Sequence, residues 1–217
     1  MISTIALIIA ATIAIASASC PRYSDIRQPA VAAGRWNNSR WAGAGAWYVQ
    51  ATNEPSVPNS TLLKCPCNVY TNSVPSLLPF LGPDSYASEY VAACGDGVFG
   101  FHNLTVKLAG FWNSSAAPAY HFENYAPSSR HPRPRFGPTM IYDAKVVGED
   151  YEWMAVYACE GPPIQKKTGF SWQLLSTQRV VARKDVEDWV GKAAALGLDV
   201  DGLEFADWSK CPSWARI

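Results

Sequence analysis

Eight short runs of alternating polar and apolar residues, separated by turn residues and with no helical segment between them, constrain this chain more than any other feature of its 217 residues. They cover 46–52, 65–71, 89–94, 98–112, 119–125, 139–147, 151–159 and 170–176. Alternation with period two is the mark of a strand that shows one face to a core and one to solvent. Gly95-Asp96-Gly97 and Gly148-Glu149-Asp150 are turn chemistry between such strands. Eight antiparallel strands without crossover helices imply an all-β fold, either a two-sheet sandwich or a closed barrel.

One helix follows the strands. Val186, Trp189, Val190, Ala193 and Ala194 recur at spacings of three and four, which draws a single apolar stripe. Asp185 is expected as its N-cap and Gly197 as its stop. A lone helix after eight strands is expected to lay that stripe on the outside of the sheet. Residues 202–205 read as a last short strand. Residues 126–138 hold four Pro and three Arg, so an exposed irregular loop is expected there.

The first 18 residues read as a signal peptide. Residues 5–16 are apolar or small and uncharged, and Ala16-Ser17-Ala18 is a small-x-small cleavage site. The run is shorter than the ~20 residues that a spanning helix requires, so no stable membrane insertion is expected. Residues 19–43 lack periodicity and read as an N-terminal arm, and 44–217 as one domain. With 48% hydrophobic residues the domain has enough apolar material for a core. Lys and Arg number 18 and so do Asp and Glu, giving a net charge of zero. That balance speaks against nucleic acid as a partner, because phosphate backbones select a basic face.

Six cysteines follow the leader: Cys20, Cys65, Cys67, Cys94, Cys159 and Cys211. An even number in a secreted chain reads as three disulfides, with 15 connectivities open. A zinc site at Cys65-Pro66-Cys67 lacks a second close pair, so no metal is expected. Sequons at Asn37, Asn59, Asn103 and Asn113 mark candidate glycosylation sites. Catalytic chemistry is sparse. His131 lies in the Pro-rich segment, and His121 shares a face with Glu123 as an expected surface pair. Alternation puts His102 with Leu104 on an apolar face, as a hydrogen-bonded wall residue or as a polar anchor for a ligand. No phosphate loop, zincin helix or EF-hand is present, so neither an enzyme nor a cofactor is expected.

The local motifs resemble those of the lipocalins. Gly45-Ala46-Trp47-Tyr48 is similar to the family's Gly-x-Trp signature at the start of the first strand. Asp150-Tyr151 resembles its second, a turn between two strands. Its third is an Arg ending the last barrel strand; here Ser176 takes that place and Arg179 comes three residues later. Lys64-Cys65 with Tyr70, Tyr157-Ala158-Cys159 and Cys211-Pro212 are similar to apolipoprotein D-like and invertebrate pigment-carrying members. The resemblance spans about residues 45–212. It implies an eight-stranded antiparallel up-and-down barrel with one C-terminal helix outside, and a small hydrophobic ligand (fatty acid, sterol, retinoid, carotenoid or tetrapyrrole) bound within.

If charged residues mark the outside of that barrel, alternation turns Tyr90, His102, Val106, Tyr120, Phe122, Met140, Tyr142, Trp153, Tyr157, Trp172 and Leu174 inward as ligand contacts. Trp172 also matches the family's ligand-contacting Trp. On the second strand polarity favours Val69 and the resemblance favours Tyr70, which is the expectation adopted. A β-bulge would reverse any of these facings. The resemblance pairs Cys65 with Cys211 and Cys20 with Cys159. Cys67 and Cys94 remain, and they oppose each other if the second and third strands form a hairpin in which facing residue numbers sum to 161. A filled barrel that contacts a protein partner through 126–138, or a lipid-modifying enzyme of the same fold, are the alternative functions.

Overall fold

The computed structural model describes residues 21–32, 34–53, 67–73, 85–94, 102–112, 119–125, 135–159 and 170–213. The eight strands are β1 (Ala46–Thr52), β2 (Cys67–Ser73), β3 (Ser85–Cys94), β4 (His102–Trp112), β5 (Tyr120–Tyr125), β6 (Arg135–Val147), β7 (Asp150–Cys159) and β8 (Phe170–Ser176). Each is antiparallel to the next. β1 pairs with both β8 and β2, so the sheet closes on itself as an up-and-down barrel. Each of the eight strands is thereby paired on both sides over at least part of its length, β4 with β5 only at Gly110 to Trp112. A two-residue strand, β9 (Glu204–Phe205), joins β1 outside the ring.

The expected loop at 126–138 is corrected at its end. Arg135 to Pro138 belong to β6, where Tyr125 opposes Arg135 and Phe122 opposes Pro138. The arm is not irregular throughout. It forms α1 (Tyr23–Ile26), a 3-10 turn (Pro29–Val31) and α2 (Asn38–Gly43). Asn37 caps α2, its side-chain oxygen accepting from the Arg40 backbone N–H at 2.9 Å. Gly45, at φ +82°, then turns the chain from α2 into β1, a conformation that L side chains rarely adopt.

After β8 comes α3 (Arg183–Ala195). Its N-cap is Ala182, three residues before the expected Asp185, which lies in the first turn instead. The carboxylate there favours the positive end of the helix dipole without capping it. The stop is as read. Gly197 has φ +74°, its N–H reaches Ala194 O, and the Leu198 N–H reaches Ala193 O, a Schellman arrangement.

Three buried clusters organise the molecule. Val186, Trp189 and Ala193 of α3 pack on Met140, Tyr142, Trp153, Ala155, Tyr157, Trp172 and Leu174. Trp36 and Trp41 pack on Trp47, Val49, Tyr86, Ile141, Met154, Val156 and Leu175. Cys67, Val69 and Ala93 pack on Trp208 and Cys211 of the chain after β9.

The disulfide expectation is corrected. Cys67 bonds to Cys211, 144 residues apart. In the β2–β3 ladder Cys67 faces Ala93, so opposed residue numbers sum to 160 and Cys94 is one position out of register with Cys67. Because Cys67 shares the outer face with Val69, beneath Trp208, it is the cysteine that the returning chain meets. Cys20 and Cys65 lie outside the described residues, as do the side chains of Cys94 and Cys159.

Candidate functional site

Which face of the wall is the interior follows from one side chain. The Trp41 indole lies 4.9 Å from the Tyr86 ring of β3 and 4.7 Å from the His121 ring of β5. Its Nε1 approaches Met154 Sδ of β7 at 3.3 Å, and its carbonyl accepts from Trp47 Nε1 of β1 at 3.3 Å. One residue reaches alternate strands all around a closed ring only from within it. The residues that meet α3 come from the contiguous stretch β5 to β8 and β1, which is one side of the outer wall.

α2 therefore plugs the end of the barrel at which β1 begins, and the plug is aromatic. Trp36 lies 4.4 Å from Tyr151 and 6.4 Å from Trp41, while Tyr86 stacks on Trp112 at 5.8 Å. Its polar atoms are satisfied locally. The Tyr151 hydroxyl accepts from the Asn37 backbone N–H at 2.7 Å. Asn38 Oδ1 accepts from Trp36 Nε1 at 2.7 Å and stands 3.3 Å from His121 Nε2. Burial raises the Tyr151 phenol, which keeps it neutral as part of this floor. His121 is thus an inner floor residue and not half of a surface pair with Glu123.

Beside the floor the inner face changes character. Tyr70 opposes Tyr90 across β2 and β3, with ring centroids 4.7 Å apart. Gln173 of β8 donates from Nε2 to the Tyr70 hydroxyl at 3.4 Å. These three face inward yet remain only half-buried, whereas Trp47 and Tyr86 are sealed at 0% exposure. Side chains inside a closed wall keep accessible surface only where space adjoins them. That space is bordered by two phenols and an amide, and by the aliphatic inner residues of the opposite wall.

Seven expected ligand contacts are corrected by this geometry. Met140, Tyr142, Trp153, Tyr157, Trp172 and Leu174 lie on the outer face beneath α3, and Tyr120 joins them, stacked on Tyr23 of α1 at 5.5 Å. Trp172 donates from Nε1 to the Tyr142 hydroxyl at 2.7 Å, a buried bond of the outer wall. Two causes reverse the assignment. Charge does not by itself mark the outside, because a wall covered by a helix needs apolar residues there, and polar Gln173 faces in. Bulges then break the alternation, at Gln50 in β1, at Tyr142 in β6 and at Glu152 in β7. The inner residues are Val49, Ile141, Met154, Val156 and Leu175. The readable clue to them was the α3 stripe itself, since an apolar helix face requires an apolar outer wall. His102, Val106 and Phe122 stand on described strands, opposite Cys94, Tyr90 and Phe111 or Pro138, and their side chains lie outside the described set.

Arg179 does not pack on the first-strand Trp as the third family signature implies. Its guanidinium lies over Trp208, 5.6 Å from the ring, and Nη2 donates to Cys211 O at 2.8 Å and Pro212 O at 3.1 Å. Trp47 is held by α2 instead.

No family model and no curated protein matches the chain. Among solved structures it is similar to lobster apocrustacyanin A1, at 15% identity over 77% of this chain and 78% of that one, with a TM-score of 0.48. It is similar to apocrustacyanin C2 at 15% identity over 78% of each chain, with a TM-score of 0.49. The siderocalin Ex-FABP, described as functioning through dual ligand specificities, aligns at 14% identity over 76% of this chain and 93% of its own, with a TM-score of 0.42. The barrel with its outside helix is the fold that the resemblance to lipocalins implies, and the structure has it.

Proposed function

We propose that this protein is a secreted carrier that takes up one small hydrophobic molecule reversibly inside its barrel, from the class of fatty acids, sterols, retinoids, carotenoids or tetrapyrroles. The observation that carries the reading is the contrast within the inner face. A sealed aromatic floor closes one end, and half-buried Tyr70, Tyr90 and Gln173 border space beside it. An apolar body gains from leaving water, about 25 cal/mol per Å² of surface buried, while the two phenols and the amide set its orientation.

Secretion is the compartment that agrees with the leader and with a Cys67–Cys211 bond, since disulfides persist in oxidising surroundings. Among the described residues no helix is long and apolar enough to cross a membrane. Of the four sequons, Asn37 is exposed at the start of α2, and its side chain engages Arg40 N through the oxygen, with no bond from the amide nitrogen among the described residues. The other three asparagine side chains lie outside the described set.

Titration of the purified protein with a fluorescent fatty acid, a retinoid and a sterol, with mass spectrometry of molecules extracted from native material, tests the reading. Saturable one-to-one binding of at least one class, weakened by Tyr70→Ala or Tyr90→Ala, is expected. Absence of saturable binding across all classes, with nothing extracted, overturns it.

A further inference from the structure

A second concave site lies outside the barrel, where the chain after β9 returns across β1. It is an open cleft of about 600 Å³ with Tyr48, Arg179, Val180 and Trp208 in its wall. Tyr48 points outward from β1 and meets the Trp208 indole edge to face at 5.0 Å. Trp208 is itself fixed, its Nε1 donating to Val49 O at 2.9 Å. Val180 is 64% exposed, a large apolar side chain presented to solvent at the rim.

Arg179 has five N–H donors. Nη2 serves two carbonyls of the tail, and the buried Nε has no acceptor. Among the described residues no carboxylate comes within ion-pair distance of Arg179. Asp207, which precedes Trp208 in the chain, is bonded to Lys210 at 2.7 Å. A carboxylate is the planar anion that suits a guanidinium charge, through charge-assisted hydrogen bonds. The phenol ring and the exposed valine beside it suit an apolar or aromatic body and not a bare inorganic ion.

We propose that this cleft is a second binding site, separate from the barrel interior, for a carboxylate carried on an aromatic or apolar body. The carboxylate pairs with Arg179 and the body lies against Tyr48 and Val180, beside the buried Trp208 that anchors both Arg179 and Tyr48. The site does not depend on the carrier reading, because no inner-face residue takes part.

The experiment follows the indole N–H resonance of Trp208, identified by its loss in Trp208→Phe, during titration of the full chain with naphthalene-2-carboxylate and with neutral naphthalene-2-methanol. The carboxylate is expected to shift that resonance saturably, and the alcohol to bind at least tenfold more weakly. Arg179→Gln should weaken the carboxylate at least tenfold. Because Arg179 also holds the tail, Val180→Asp is the second variant. It adds a repelling charge at an exposed position and should weaken binding by a similar factor on an intact fold, whereas Val180→Lys should strengthen it. Equal affinity for the alcohol, or wild-type affinity in both Arg179→Gln and Val180→Asp, overturns the proposal. So does a carboxylate that shifts floor indoles such as Trp41 and leaves Trp208 unmoved, since it then enters the barrel.

Discussion

Tyr86 and Gly110 face each other across β3 and β4, and the pair shows how closely the floor is packed. A β-carbon placed on Gly110 would collide with the Tyr86 ring, which is fully buried and stacks on Trp112. No L side chain other than a hydrogen leaves room for that ring. Gly110→Ala is therefore expected to cost about 1–3 kcal/mol through overpacking and to lower Tm by several degrees in calorimetry. Adding Tyr86→Leu should recover part of the loss relative to the sum of the single variants, since the clash disappears with the ring. An unchanged Tm in Gly110→Ala would show that Tyr86 does not lie where it is described.

At the scale of elements, α3 and α2 do opposite work with the same kind of surface. α3 covers one outer wall with Val186, Trp189 and Ala193, and Trp189 stacks with Trp153 at 6.3 Å. α2 is only six residues long, too short to be stable alone, and is held by what Trp41 touches inside the barrel. Because α3 is anchored along one stripe, its other face is free to be improved. Gly191 is exposed in mid-helix, and an added β-carbon meets nothing within 4 Å. Gly191→Ala is expected to stabilise the fold by about 0.5–1 kcal/mol, the helix propensity difference, read as a higher denaturant midpoint with unchanged m. A lower midpoint would place a neighbour against that face. The two glycine substitutions thus change stability in opposite directions, one inside a ladder against a ring and one on open helix.

Across the whole molecule the covalent tie between β2 and the tail closes a loop of 144 residues. Chain entropy alone assigns such a cross-link about 4–5 kcal/mol, an upper value since native strain subtracts from it. Non-reducing peptide mapping should recover a Cys67–Cys211 peptide, and Cys211→Ser should lower Tm without abolishing the barrel. A Cys65–Cys211 peptide would contradict the structure. What the chain determined by itself was the part that depends on local chemistry. Alternation marked the eight strands, β1 and β8 to the residue, because period two and turn residues are written in consecutive positions. The α3 stripe and the Gly197 stop were legible for the same reason, as was Gly45-Ala46-Trp47 at the barrel start. Which face of each strand turns inward was decided only by tertiary structure. Bulges in β1, β6 and β7 shift the alternation by one residue, and α3 and the tail bury outer surface that a strand read in isolation assigns to solvent. Met140, Tyr142, Trp172 and Leu174 went outward for that reason, while Ile141, Met154 and Leu175 went in. The partner of Cys211 was decided the same way, because the returning chain packs Trp208 and Cys211 on the outer face that carries Cys67 and Val69, and the β2–β3 register sets Cys94 one position away from Cys67.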